Sequence, residues 1–161
     1  MKTNLINKFA ATLLITLFGI VVASAEPYAK DDKIASFKAK DQHDVEYEFK
    51  PSSMKYLLVS HDMETGKKAN AVLTKLGKDY FTNHQAAYLA NIHGMPGIGR
   101  MFAIPKMKKY AHRIILGDDA DLIAKFPEQA GKVTVIAISD GKVKSIIYWS
   151  PSEEKLDDVL K

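Results

Sequence analysis

The chain has 161 residues, 23 Lys and Arg against 19 Asp and Glu, and no cysteine. Without a thiol it can make no disulfide, carry out no thiol–disulfide exchange or peroxidatic sulfur chemistry, and hold no thiolate-bound metal, so packing alone must support the fold. A formal net charge of +4, with lysines interspersed among acids, is not the balance of a nucleic-acid-binding surface.

Residues 1–25 read as a signal peptide. Lys2 and Lys8 precede an apolar run over residues 9–22, and Ala23-Ser24-Ala25 has the small-x-small pattern that a signal peptidase accepts. The run is about 14 residues against the roughly 20 of a spanning helix, so cleavage after Ala25 is expected, with an uncleaved anchor as the alternative. What remains, residues 26–161, is long enough for one domain with a proper core and too short for two. Removing Lys2 and Lys8 lowers the net charge to about +2, and no stable membrane span is left.

Ile34, Phe37, Val45, Tyr47 and Phe49 flank the turn at residues 41–44 and predict an N-terminal hairpin. Pro51 ends it. Residues 56–60 form an apolar run that predicts a strand buried on both faces, and Ala69, Val72, Leu73, Leu76 and Tyr80 recur at helical spacing. Thr65 is the expected N-cap of that helix, which should run to about Thr82. Residues 86–92 predict a second buried strand. After His93-Gly94-Met95-Pro96-Gly97, the residues Ile98, Met101, Phe102 and Pro105 share one helical face, with a kink or restart expected at Pro105 and Met101 and Met107 filling core.

A short strand is expected at residues 113–116, then a turn of helix or an extended piece near residues 121–126. Strands at 133–139 and 143–149 are joined by Asp140-Gly141, the strongest hairpin signal in the chain. Ser152 reads as the N-cap of a last helix with Leu156, Val159 and Leu160 on its apolar side.

The order hairpin, strand, helix, strand, helix, strand, short helix, hairpin, helix resembles the thioredoxin-like fold in its peroxiredoxin-type periplasmic form, over nearly all of residues 26–161. KYLLVS with its following turn is similar to the strand and active-site loop of that family, and VTVIAISDGKVKSIIYW to its antiparallel strand pair. The resemblance implies an α/β domain with a central mixed sheet and a periplasmic location. Two features depart from the pattern. The positions of the reactive cysteines read His61, Asp62, Met63 and Glu64, so no redox role carries over. The family's proline before the last hairpin has no counterpart at Lys132 or Val133. The segment HGMPGIGRMFAIPKMKKYAHRIIL is also similar to one recurring in uncharacterised exported proteins of Gram-negative bacteria.

In open α/β sheets, ligands collect where loops leave the carboxyl ends of central strands and helix N-termini face them. That singles out residues 61–66 and 93–97, two loops that should lie side by side. His61, Asp62, Glu64 and His93 then form a candidate zinc or acid–base group, and Met63, Met95, Met101 and His93 are a donor set suited to copper. Arg100, in the first turn of a Gly-flanked helix, is placed to meet a carboxylate or phosphate. Two functional readings follow. One is a non-redox binding or accessory module of the cell envelope using this face for a protein, peptide or small ligand. The other is a zinc- or copper-binding protein or metal-dependent enzyme using His61, Asp62, Glu64 and His93, with His61 and His93 as the metal ligands. No cofactor is assigned by the residues, and no Gly-rich dinucleotide fingerprint is present.

Overall fold

The computed structural model describes residues 26–161; the expected signal peptide lies outside the described residues. A five-stranded mixed sheet forms the centre. Its strands are β3 (Tyr56–Ser60), β4 (Ala86–Asn91), β5 (Ile115–Gly117), β6 (Val133–Ser139) and β7 (Lys142–Trp149), in the order β5-β4-β3-β6-β7. β4 runs parallel to both β3 and β5, while β6 runs antiparallel to β3 and to β7. The hairpin of β1 (Phe37–Lys40) and β2 (Glu46–Phe49) forms a separate small sheet.

Side chains alternate across a strand, so the buried run at β3 feeds two cores. Tyr56 and Leu58 join Tyr88, Val135 and Trp149 beneath α1 (Met63–Leu76) and α2 (Tyr80–Asn83). Leu57 and Val59 join Leu89, Ile136, Phe49 and Phe126 on the opposite face. There the hairpin closes the core by stacking Phe37 on Phe49, ring centroids 4.9 Å apart. Its turn is set by Asp41, whose carboxylate accepts from the amides of His43 and Val45. Gln42 then anchors the hairpin to the sheet edge, donating to the His112 carbonyl at 2.9 Å and accepting from the Ile114 amide at 2.8 Å.

Helix boundaries depart from the sequence expectation in ways local chemistry explains. Asp62, not Thr65, caps α1: its carboxylate accepts from the Thr65 amide at 2.8 Å and the Thr65 hydroxyl at 2.6 Å. The helix stops at Leu76 because Gly77 takes φ 92°, a left-handed value that ends a helix cheaply only at glycine, and α2 starts afresh three residues later. α3 (Gly97–Met107) runs through Pro105 without restarting, since that proline removes only the bond to the exposed Met101 carbonyl near the helix end. α4 (Ala120–Ile123) is one helical turn. α5 (Leu156–Val159) begins after Lys155 rather than at Ser152, because the preceding residues wrap Trp149, whose indole donates to the Glu154 carbonyl at 3.0 Å. Asp140 and Gly141 take φ 53° and 73°, the paired positive values of the tight hairpin turn expected there. No helix among the described residues is long and apolar enough to cross a membrane.

Candidate functional site

β3 and β4 are parallel neighbours, so their carboxyl ends deliver the 61–66 and 93–97 loops to one sheet edge, where the Asn91 side chain donates to the His61 carbonyl at 3.1 Å. The two imidazoles nonetheless face opposite ways. The His61 ring, its side chain 3% exposed, turns toward β6, with Nε2 3.2 Å from Thr134 Oγ1 and Nδ1 4.0 Å from Glu128. Thr134 spends its single hydroxyl proton on the Pro127 carbonyl at 2.6 Å, so His61 Nε2 must donate to Thr134 and Nδ1 keeps the free lone pair. Burial pushes the His61 pKa down, against the opposing pull of Glu128, and the ring is neutral at pH 7.

His93 is exposed and turns toward β5, its Nδ1 3.2 Å from the Asp118 carbonyl. The groups the two rings face belong to β6 and to the chain leaving β5, separated by three strand spacings, roughly 14 Å. The two histidines are therefore not assembled into one donor set, and among the described residues no group of three His, Asp or Glu side chains is placed to hold a metal ion.

The remaining expected residues are engaged locally. Partial burial of Asp62 is outweighed by the hydrogen bonds from Thr65, which hold its carboxyl below the usual range, so it serves as a helix cap. Glu64 pairs with Lys67 at 3.3 Å. Both terminal nitrogens of Arg100 reach the Asp118 carboxylate, and the same guanidinium donates to the carbonyls of Ile92 at 3.1 Å and Met95 at 3.0 Å. The carboxylate that the sequence placed at Arg100 is thus supplied by the chain itself. Arg100 becomes the clamp that holds the 93–97 loop and the start of α3.

What these elements enclose is a cavity of about 240 Å³ between α1 and α3, above the ends of β3 and β4. Asp62, Met63 and Met95 line it; His61, Glu64, His93 and Arg100 do not. Its floor is the buried pair Ser60 and Tyr88, hydroxyls 2.8 Å apart, and burial pushes the Tyr88 phenol up to about 12. Gly66 of α1 lies over that floor: a Cβ there would be in ordinary contact with Ser60 Oγ at 3.4 Å. The mouth is apolar. Phe102 and Met63 stand at it, and on the same helix as Phe102 the side chains of Ile98, Met101 and Phe102 are 70%, 68% and 72% exposed. α3 buries no residue at all, so Met101 is not the core filler that its spacing implied.

Two contributors lie outside the sequence reading. Lys106 stands at the cavity wall. His112, 2% exposed, sits under α1 with Nε2 2.8 Å from Asn70 Oδ1, ringed by Phe81, Tyr88 and Tyr110, while its Nδ1 meets no partner. Burial pushes its pKa down to about 4. The only sequence signal for it was a histidine preceding an apolar strand, which many surface histidines share.

No protein-family model and no curated protein sequence matches the chain. Solved structures do. A peroxidoxin from Mycobacterium tuberculosis, named BcpB, superposes with a TM-score of 0.55 at 15% identity, covering 83% of this chain and 94% of that one. The thioredoxin domain of a thiol-disulfide oxidoreductase from Bacteroides vulgatus gives 0.53 at 14% identity, covering 83% and 99%. A peroxiredoxin-like protein from Aquifex aeolicus gives 0.54 at 13% identity, covering 84% and 86%. Likeness at such identities speaks to architecture and not to activity. With its central mixed sheet, its N-terminal hairpin and its flanking helices, this cysteine-free chain has the thioredoxin-like fold.

Proposed function

We propose that the protein is an exported, non-redox binding module of the cell envelope that receives an apolar group of a protein, peptide or small ligand on the face formed by α1 and α3. The observation that carries this reading is the row Ile98, Met101 and Phe102, left uncovered beside the apolar cavity. Soluble domains seldom leave large apolar side chains contiguous without a use, and covering each one contributes up to about 1.5–3 kcal/mol. The absence of cysteine removes every thiol step that the scaffold could otherwise carry, which supports a reading without redox chemistry.

Titration with 1-aminoanthracene, a neutral apolar fluorophore, tests the reading. Its emission should rise and shift to the blue with the wild-type protein and stay at the free-dye level with Phe102→Asp. Equal enhancement by both proteins, or none by either while circular dichroism shows both folded, would sink the assignment. Export is tested separately by fractionation and N-terminal sequencing, with mature protein expected to begin at Glu26 in the periplasmic fraction. Recovery only of full-length chain in the membrane fraction would overturn that part.

A further inference from the structure

This inference rests on the reading that the α1/α3 face binds an apolar group, and it names what that group carries. We propose that the cavity takes the short alkyl tail of a free single-chain amphipathic anion, whose head group is held at the Lys106 ammonium.

The tail is set by volume and lining. At about 240 Å³ the cavity is about half as large again as an engineered apolar cavity that admits benzene, large enough for one short chain and too small for the paired tails of a membrane lipid. Met63, Met95, Met107 and Phe102 supply unbranched or flat side chains that adapt around a flexible guest.

The head group is set by charge. Three ionisable side chains other than tyrosine line the cavity: Asp62, Lys67 and Lys106. Asp62 is committed to Thr65, and Lys67 to Glu64 at 3.3 Å. Among the described residues Lys106 makes no ion pair and no side-chain hydrogen bond, and neither does Lys109 one turn further on, while Lys108 pairs with Asp44 at 3.4 Å. The Lys106 ammonium is therefore the one uncommitted charge on the cavity wall, and it suits a carboxylate, sulfate or phosphate carried by a chain entering past Phe102.

Calorimetric titration of purified protein with hexanoate, octanoate and decanoate, all below their micelle concentrations, tests the assignment. Affinity should rise about fourfold per added methylene until the cavity fills. Octanoate should bind roughly three- to tenfold more tightly than octyltrimethylammonium, and Lys106→Glu should erase or invert that preference without abolishing binding of octanol. Ala103→Trp, which places an indole in the cavity wall, should abolish the chain-length dependence. If octanol and the cation bind as well as octanoate, the anionic head group is refuted while the apolar reading stands. If none of the alkyl probes binds and 1-aminoanthracene does not bind either, both fail together. Co-sedimentation with phosphatidylglycerol vesicles in the absence of any decanoate binding would overturn the free-amphiphile assignment in favour of a membrane surface.

Discussion

α1 and α3 are the same kind of element, each following a parallel strand and lying on the same face of the sheet, yet they are held in opposite ways. α1 buries Thr65, Gly66, Ala69, Asn70 and Leu73, and this buried face reaches His112 through Asn70. α3 buries nothing; Arg100 clamps its first turn and Met107 and Tyr110 pack at its far end. The difference teaches that an apolar helical stripe has two uses. On α1 it is spent on folding. On α3 it remains in solvent next to a cavity, available to a ligand.

Four substitutions would break or sharpen this contrast. Leu73→Ala should have the largest effect, about 2–5 kcal/mol of stability lost in a denaturant titration, because it empties fully buried volume under α1. A loss below 1 kcal/mol would mean that α1 is not the anchored helix. Next comes acid. The His112 pKa lies near 4 when folded and near 6.5 when unfolded, so the unfolded chain takes up the proton first. Stability should then be level above pH 6.5 and fall by about 3 kcal/mol as pH drops from 6.5 to 4, beyond what the carboxylates contribute. His112→Gln, which keeps a donor for Asn70, should remove that component, and an unchanged acid slope would show that His112 takes up its proton as readily in the folded as in the unfolded chain.

Arg100→Ala should act locally. Amide exchange across α3 should accelerate while α1 and the sheet keep their protection, because the clamp holds one helix and not the core. Loss of global stability comparable to that of Leu73→Ala would contradict it. The smallest expected change is Met101→Ser, which should leave stability within about 0.5 kcal/mol of wild type because the side chain is already in water.

The strands were plain in the sequence because short apolar runs bounded by turn residues are too short for a buried helix and match strands buried on both faces. β3, β4, β6 and β7 appear where residues 56–60, 86–92, 133–139 and 143–149 predicted them, with Asp140-Gly141 at the turn. Helix ends were less legible. Capping at Asp62 and termination at Gly77 depend on backbone angles, and the run Leu76 to Tyr80 kept its apolar spacing across a real break. At the candidate site, the meeting of the two loops followed from topology, but the direction of each ring did not. His61 is turned by Thr134 and His93 by Asp118, partners from other strands that local sequence does not announce. The stripe on α3 was visible and its Met101 assigned to core, since periodicity reports which residues share a face and not whether anything covers it.

The central claim, that the uncovered α3 face and the cavity it roofs form the binding surface, is tested most directly by mapping amide chemical shifts of ¹⁵N-labelled protein during titration with octanoate. The account predicts saturable shifts concentrated at Met63, Gly66, Met95, Phe102 and Ala103, around the cavity between α1 and α3. Shifts centred instead on His61, Glu128 and Thr134, at the β6 side of the same edge, would contradict it.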